Sequence, residues 1–171
     1  DYLPKAAEKI ETEGVGSTES IAELRKRFLE AEKSSYWHQF KDGLLGAEAV
    51  KILSDNISHL LDEGGKVPLS ERKDLEESWE VPKTLSKISS WPIVGKLAKD
   101  WYLDRMTLSY DCAVSFVMAQ EEALRLVESM NSSGKEDANA LEKIESEING
   151  NRIEGQPYLR NLRKNYGGVY K

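Results

Sequence analysis

The chain has 171 residues, of which 39% are hydrophobic and 32% charged, and it carries a formal net charge of -6 at pH 7. This length and composition predict one folded domain and exclude a fibrous or wholly disordered chain. The acidic balance argues against nucleic acid as a partner, because a general nucleic-acid binder needs a basic face to displace counterions from phosphates.

The pattern of apolar residues and the cysteine content indicate a soluble cytosolic chain. No stretch approaches the roughly 20 apolar residues that cross a bilayer. Cys112 is the single cysteine, so an internal disulfide is excluded and the reducing cytosol is the expected compartment. Because the chain begins at Asp1 instead of Met, we expect it to be a fragment of a longer protein, whose membrane segments would lie elsewhere.

Residues 1–16 are predicted to form an N-terminal arm or a short helix. Their composition favours a helix after Pro4, but Gly14 and Gly16 are expected to interrupt it, because glycine gains much conformational freedom outside a helix. The ordered domain is therefore predicted to begin at about residue 17.

Residues 17–65 are predicted to form an antiparallel helical hairpin. Apolar residues recur every three or four positions over 20–42, which is typical of an amphipathic helix. The same pattern resumes after Gly46 and ends at the Gly64-Gly65 pair, and Gly43 marks the short turn between the two helices.

Residues 66–93 are predicted to be a connector with partial order. Pro82 and Pro92 break the helical pattern into short pieces. Some packing on the hairpin is nevertheless expected, since a wholly loose loop of this length is unusual in a compact domain.

Residues 94–171 are predicted to contain a long helix and two shorter helices, and to form one compact domain with the hairpin. The long helix covers 94–130, the next is expected to end near Gly150, and Pro157 suits the first turn of the last. No segment alternates with the two-residue period of a strand, so the predicted fold class is all-α.

The sequence shows no catalytic pattern. His38 and His59 lack the spacing of a zinc set and of the Glu-x-x-His pairs of carboxylate di-iron bundles. Cys112 falls on the apolar stripe of the long helix, where a lone thiol usually acts as a small hydrophobic group. We therefore predict a chain that is not an enzyme and that uses no cofactor or metal.

Aromatic residues of the predicted helices are candidates for a packing or partner surface. Scattered aromatics in a helical domain more often form a core or a protein interface than a ligand pocket, although the pocket remains an alternative. The candidates are Phe28, Tyr36, Trp37, Trp101 and Tyr102.

The C-terminal segment is cationic within an acidic chain, which suggests a docking tail. Its candidate residues are Arg160, Arg163 and Lys164. Three interpretations stay open: a solvated basic helix end, docking on acidic helices of the same protein, and contact with anionic lipid headgroups.

The hairpin sequence resembles the first cytosolic helical segment of the plant salt-tolerance plasma-membrane sodium/proton antiporters. In that family an Arg-x-Arg-Phe-Leu element is followed by Tyr-Trp, an acidic-Gly turn and a helix that ends in Ala-Leu-Asp. The corresponding residues here are Arg25, Arg27, Phe28, Leu29, Tyr36, Trp37, Asp42, Gly43 and Leu60-Leu61-Asp62.

A second segment, from Leu103 to Val127, is similar to the family helix built around Glu-Arg, an Ala-rich centre and a Phe-x-x-Ala-His/Gln ending. The likeness spans about residues 20 to 166, with a poor match between 63 and 96. Sperm-specific sodium/proton exchangers are similar too, but they place a membrane-embedded voltage-sensing domain soon after the hairpin, and this chain has no such apolar run.

The resemblance implies a regulatory and dimerisation region on the cytosolic side of the plasma membrane, in an exchanger that serves pH and salt homeostasis. It implies a homodimer, with the transmembrane transport domain upstream of this region and a cyclic-nucleotide-binding-like domain downstream. An alternative from the residues alone is a free-standing helical adaptor that binds partner helices through the Trp- and Leu-rich hairpin.

Overall fold

The chain folds as an arrangement of four α-helices in a computed structural model that describes residues 3–72, 95–134 and 136–166, with side-chain environments for 20–72, 100–134, 136–152 and 159–160. The helices are α1 (Leu3–Lys41), α2 (Ala47–Asp62), α3 (Gly95–Ser133) and α4 (Ala138–Tyr166). The described ranges contain no strand, which confirms the predicted all-α class.

Helix α1 is longer at its N-terminus than the sequence predicts. It begins at Leu3 and passes through Gly14 and Gly16 without a break, so the predicted interruption of the helix is wrong. A glycine inside a helix costs roughly 1 kcal/mol relative to alanine. That cost does not end a helix of 39 residues whose later part packs in the core, since packing along a helix commonly outweighs local propensity.

The hairpin prediction is confirmed by contacts that run in opposite order along α1 and α2. Lys33 in the C-terminal part of α1 donates from Nζ to Ser58 Oγ at 2.9 Å, and Ala22, at the middle of α1, lies beside Gly65. The turn between the helices follows Lys41 and places Gly43 at a positive φ of 73°, a conformation that glycine adopts without steric cost.

Helix α3 confirms the predicted long helix and lies antiparallel to α1. Gln39 at the end of α1 donates to the carbonyl oxygen of Ser115, whereas Arg27 pairs with Glu136, which follows α3. Apolar residues of all four helices meet between them in one buried cluster, which includes Leu24, Phe28, Tyr36, Val50, Leu53, Ile57, Cys112, Phe116, Ala123, Leu141, Ile144 and Ile148.

Helix α4 replaces the two shorter helices that the sequence predicts. It runs from Ala138 to Tyr166 through both Gly150 and Pro157, so the predicted separation into two helices is wrong. A proline inside a helix removes one backbone hydrogen bond and commonly causes a kink, but a helix that packs along its length can accommodate it. Helix α4 is such a helix, because it packs against α3 and also contacts α1.

The first part of the predicted connector is ordered and non-helical over 66–72, and Leu69 and Arg72 are buried there. The remainder of the connector, 73–93, lies outside the described residues, as do the last five residues of the predicted 94–171 segment. We call residues Gly65–Arg72 the clasp segment, because side chains of the helices hold it from several sides.

Substitutions at two adjacent glycines test how closely the clasp segment approaches α1. Both have a φ of +71°, but a Cβ at Gly64 meets nothing within 4 Å, whereas one at Gly65 overlaps the carbonyl oxygen of Ala22. Gly64→Ala should lower the free energy of unfolding by about 1–2 kcal/mol through backbone strain alone. Gly65→Ala should lower it by a further 1–3 kcal/mol or so, since a backbone atom must move. Urea unfolding followed by circular dichroism measures both, and equal losses would contradict the close approach.

Alanine at position 150 tests the continuity of α4. Gly150 has no positive φ, and a Cβ there would make an ordinary contact with the Cβ of Ser70 at 3.8 Å. Gly150→Ala should therefore raise the free energy of unfolding by roughly 0.5–1 kcal/mol, the usual gain in a helix interior. If a helix ended at Gly150, the same change would be destabilising, and thermal unfolding distinguishes the two results.

Candidate interaction site

The clasp segment is held between α1 and α4 by a buried ion pair. Arg25 of α1 donates from Nε to Glu147 Oε2 at 3.0 Å and from Nη2 to Glu147 Oε1 at 2.6 Å. Both side chains are 8% exposed. The two parallel hydrogen bonds form the bidentate arrangement in which a guanidinium and a carboxylate interact most strongly.

The same two side chains also bind the backbone of the clasp segment. Arg25 Nη1 donates to the carbonyl oxygens of Gly65 and Lys66, each at 3.2 Å. Glu147 Oε2 accepts the backbone N–H of Leu69 at 2.9 Å, and Asn151 Nδ2 donates to the carbonyl oxygen of Leu69 at 2.8 Å. The path of the segment is therefore fixed by charges that belong to α1 and α4.

A second buried ion pair holds the end of the clasp segment. Arg72 Nη1 donates to both carboxylate oxygens of Glu32 on α1, at 2.7 and 2.9 Å. Its Nη2 donates to Asn56 Oδ1 of α2 at 3.2 Å, and its guanidinium carbon lies 5.2 Å from the ring centroid of Phe116 on α3. One side chain thus contacts three helices.

Tyr36 completes this second pair. Its hydroxyl donates to Glu32 Oε1, which leaves that carboxylate bound by a cation and by a neutral donor. Burial, followed by the nearby charge of Glu32, raises the pKa of Tyr36 well above its ordinary value. The phenol therefore stays protonated and remains a donor to Glu32.

The candidate aromatic residues divide between the core and the surface. Phe28 is 2% exposed and Tyr36 is fully buried, so these two lie in the core. Trp37 and Trp101 are exposed, and Tyr102 is half-buried. The five residues therefore form no single aromatic pocket.

The exposed aromatic residue of the hairpin belongs to an apolar surface at its turn. The ring centroids of Trp37 and Phe40 lie 5.8 Å apart in an edge-to-face arrangement. Their exposed fractions are 43% and 37%, and Leu44 in the turn is 63% exposed. We call these three residues the aromatic corner, and an exposed cluster of this kind commonly marks an interaction surface.

Trp101 lies at a separate cleft near the start of α3. The cleft has a volume of about 450 Å³ and is lined by Glu48, Trp101, Asp104, Arg105 and Leu108. Neither Trp37 nor Phe40 lines it. The second exposed tryptophan is therefore a different surface feature from the aromatic corner.

The cationic tail is described in part. Arg160 is exposed on α4, whereas Arg163 and Lys164 belong to the same helix but their side chains lie outside the described residues. Its role as a docking tail stays a prediction.

Cys112 is fully buried between the helices. Burial, with a smaller contribution from the adjacent Asp111, raises the pKa of its thiol to about 12. Because the thiolate is the reactive form, this thiol is expected to be inert in the folded chain.

Four buried charged residues were not identified from the sequence: Arg25, Glu32, Arg72 and Glu147. A signal did exist for two of them, because Arg25 and Glu32 share the helical spacing of Phe28 and Tyr36, which places all four on one face of α1. Charged residues are almost never fully buried unless they are paired. No sequence pattern indicated the partners that make this burial possible.

Comparison with protein-family models gives no match for this chain. In the part of the chain that the structure describes, no three His, Cys, Asp or Glu residues are grouped so that they could hold a metal ion. No helix there has the length and apolar character needed to span a membrane. The geometry of the clasp and of the aromatic corner is therefore the basis for interpretation.

The buried pair can be tested with single and double substitutions. Arg25→Met leaves the Glu147 carboxylate buried without its cation and should lower the free energy of unfolding by about 3–5 kcal/mol. Adding Glu147→Gln removes that charge but keeps an acceptor for Leu69, so the double variant should be more stable than the sum of the two single losses predicts, by about 2 kcal/mol. Denaturant unfolding measures all three variants.

Arg27→Met is the matched control for this experiment. Arg27 also pairs with a glutamate, Glu136, but its side chain is 54% exposed, so its loss should cost less than about 1 kcal/mol. If Arg25→Met cost no more than Arg27→Met, the clasp would not depend on its buried charges.

Proposed function

We propose that this chain is the cytosolic regulatory and dimerisation region of a membrane sodium/proton antiporter, and that it is not itself catalytic. The observation that carries the proposal is that the two segments with the antiporter-like sequence pattern, about 20–62 and 103–127, fold against each other. They supply α1, α2 and the central part of α3, and their buried residues belong to one core.

The residues that carry the resemblance have defined positions in this core. Phe28 and Leu29 are buried in it, Arg25 holds the clasp segment, and Gly43 forms the turn of the hairpin. These residues therefore determine the core, the turn and the clasp contact of the hairpin, and none of them is placed for catalysis. This supports a role as a structural module of a larger protein.

The proposed mechanism is conformational. A helical region regulates a transporter when it contacts one transport state more favourably than the other, since only a difference in contact free energy shifts the equilibrium. The aromatic corner supplies a surface for such contacts, because Trp37, Phe40 and Leu44 are exposed. In the proposed arrangement the transport domain precedes this region and a cyclic-nucleotide-binding-like domain follows it.

The aromatic corner also favours a second candidate, the free-standing helical adaptor. Aromatic anchors flanked by helix are the usual means by which such modules bind a partner helix. The two candidates differ in what covers the corner: another part of the same polypeptide in the antiporter, or a separate protein in the adaptor.

Photo-crosslinking at the aromatic corner distinguishes these candidates. A benzophenone amino acid placed at Trp37 in the full-length parent protein should give a crosslink within the same protein, to its membrane part. The matched control is the same amino acid at Met118, which is 38% exposed on α3 and should give little product. A crosslink only to a separate protein would support the adaptor.

A transport assay then tests regulation. The double substitution Trp37→Ser and Phe40→Ser removes exposed apolar area without opening the core, so the protein should fold while its sodium-dependent proton flux changes several-fold. Met118→Ser should leave the flux unchanged. A parent protein without membrane spans, or a flux that is indifferent to the aromatic corner, would overturn the antiporter proposal.

A further inference from the structure

A groove lies between α2 and the clasp segment, away from the aromatic corner. Its volume is about 490 Å³. Three apolar side chains and three carboxylates line it, together with one amide and one imidazole: Ile52, Leu60, Val67, Asp55, Glu63, Glu71, Asn56 and His59. We call it the α2 groove, and no lysine or arginine lines it.

The three carboxylates of the α2 groove have no partner within the described part of the chain: none makes a side-chain hydrogen bond or ion pair there. The buried carboxylates of Glu32 and Glu147, by contrast, each accept two hydrogen bonds from an arginine. The groove therefore combines apolar surface with uncompensated negative charge. An occupant that buries this surface must bring cations of its own.

The chain carries a segment of the complementary charge at its other end. Residues 151–171 contain five basic residues and a single acidic residue, Glu154, in a chain whose net charge is -6. Three of the basic residues, Arg160, Arg163 and Lys164, fall within five positions of α4. The exposed side chain of Arg160 is available for contact.

This basic end does not lie against the α2 groove of its own chain, because the described part of α4 packs on α3 and α1 and makes no contact with α2. Gly150 of α4 lies beside Ser70, and Val67 and Glu71, on either side of Ser70, line the groove. Helix α4 continues without a break to Tyr166. Its rise of 1.5 Å per residue carries Arg163 about 20 Å beyond Gly150. The α4 of another molecule is free of this constraint.

We propose that the α2 groove of one molecule binds the basic end of α4 from a second copy of the chain. When the two copies are related by a two-fold axis, each supplies one groove and one helix end, so the contact forms twice. This deepens the dimer element of the proposed function and identifies the surfaces that form it. The association depends on exposed charges, so salt weakens it.

Sedimentation velocity of the full chain tests this self-association. The chain should be dimeric at about 50 mM salt and dissociate at about 500 mM, where screening is much stronger. The groove variant, Asp55→Lys with Glu63→Lys, should raise the dissociation constant at least tenfold. Its control, Glu121→Lys with Glu122→Lys, changes the net charge equally at two exposed positions of α3 and should leave the dimer intact.

The tail variant, Arg163→Glu with Lys164→Glu, should also be monomeric. Its charge-matched control is Arg125→Glu with Lys143→Glu, at two exposed positions, and it should remain a dimer. An equimolar mixture of the groove and tail variants should form a heterodimer, because a lysine-bearing groove faces a glutamate-bearing tail. Circular dichroism verifies folding, and Asp55→Asn with Glu63→Gln replaces the groove variant if charge reversal unfolds it.

Two results would overturn the inference: a monomer at every concentration in low salt, or a dimer that both variants leave unchanged. These measurements need no membrane and no transport. A monomeric chain would therefore refute this interface while leaving a regulatory role intact. A confirmed dimer in a parent protein without membrane spans would refute the antiporter proposal alone.

Discussion

The fold depends on pairing two arginines and two glutamates that are almost completely removed from water. A buried charge is tolerated only when an opposite charge and further hydrogen bonds replace its hydration. Arg25 with Glu147 joins α1 to α4, and Arg72 with Glu32 joins the clasp segment to α1, so both pairs form only when these three elements occupy one arrangement. Apolar residues supply most of the buried surface, but they tolerate sliding and rotation. The charged pairs do not, so they select the packing.

The sequence predicted which segments are helical better than it predicted where each helix begins and ends. Helical periodicity identified the hairpin and the long helix, because those segments present an uninterrupted apolar face. Glycine and proline misled the prediction at Gly14, Gly16, Gly150 and Pro157, all of which lie inside helices. Placing these residues inside a helix costs about 1 kcal/mol for glycine and about 3 kcal/mol for proline, relative to alanine. Packing along a helix of 29 or 39 residues can outweigh this cost, and a local pattern does not reveal packing.

The candidate surface shows the same contrast between features that a local sequence pattern predicts and features that only tertiary packing decides. Tyr36 and Trp37 are adjacent and similar in character, yet one is fully buried and the other 43% exposed, because successive residues of a helix point about 100° apart. The hairpin periodicity could have separated them. The buried charges could not have been found in this way, since Arg25 and Glu147 are 122 positions apart. Their pairing is a property of the tertiary structure alone.

That separation along the sequence affects how the protein folds while it is being synthesised. Ribosomal synthesis delivers the N-terminus first, so Arg25 leaves the ribosome long before Glu147 exists. Until α4 is complete, Arg25 of the hairpin lacks the Glu147 carboxylate with which it pairs in the folded chain. Contacts this distant in sequence form late and slowly. During translation the hairpin is therefore incompletely packed until the last quarter of the chain has been synthesised.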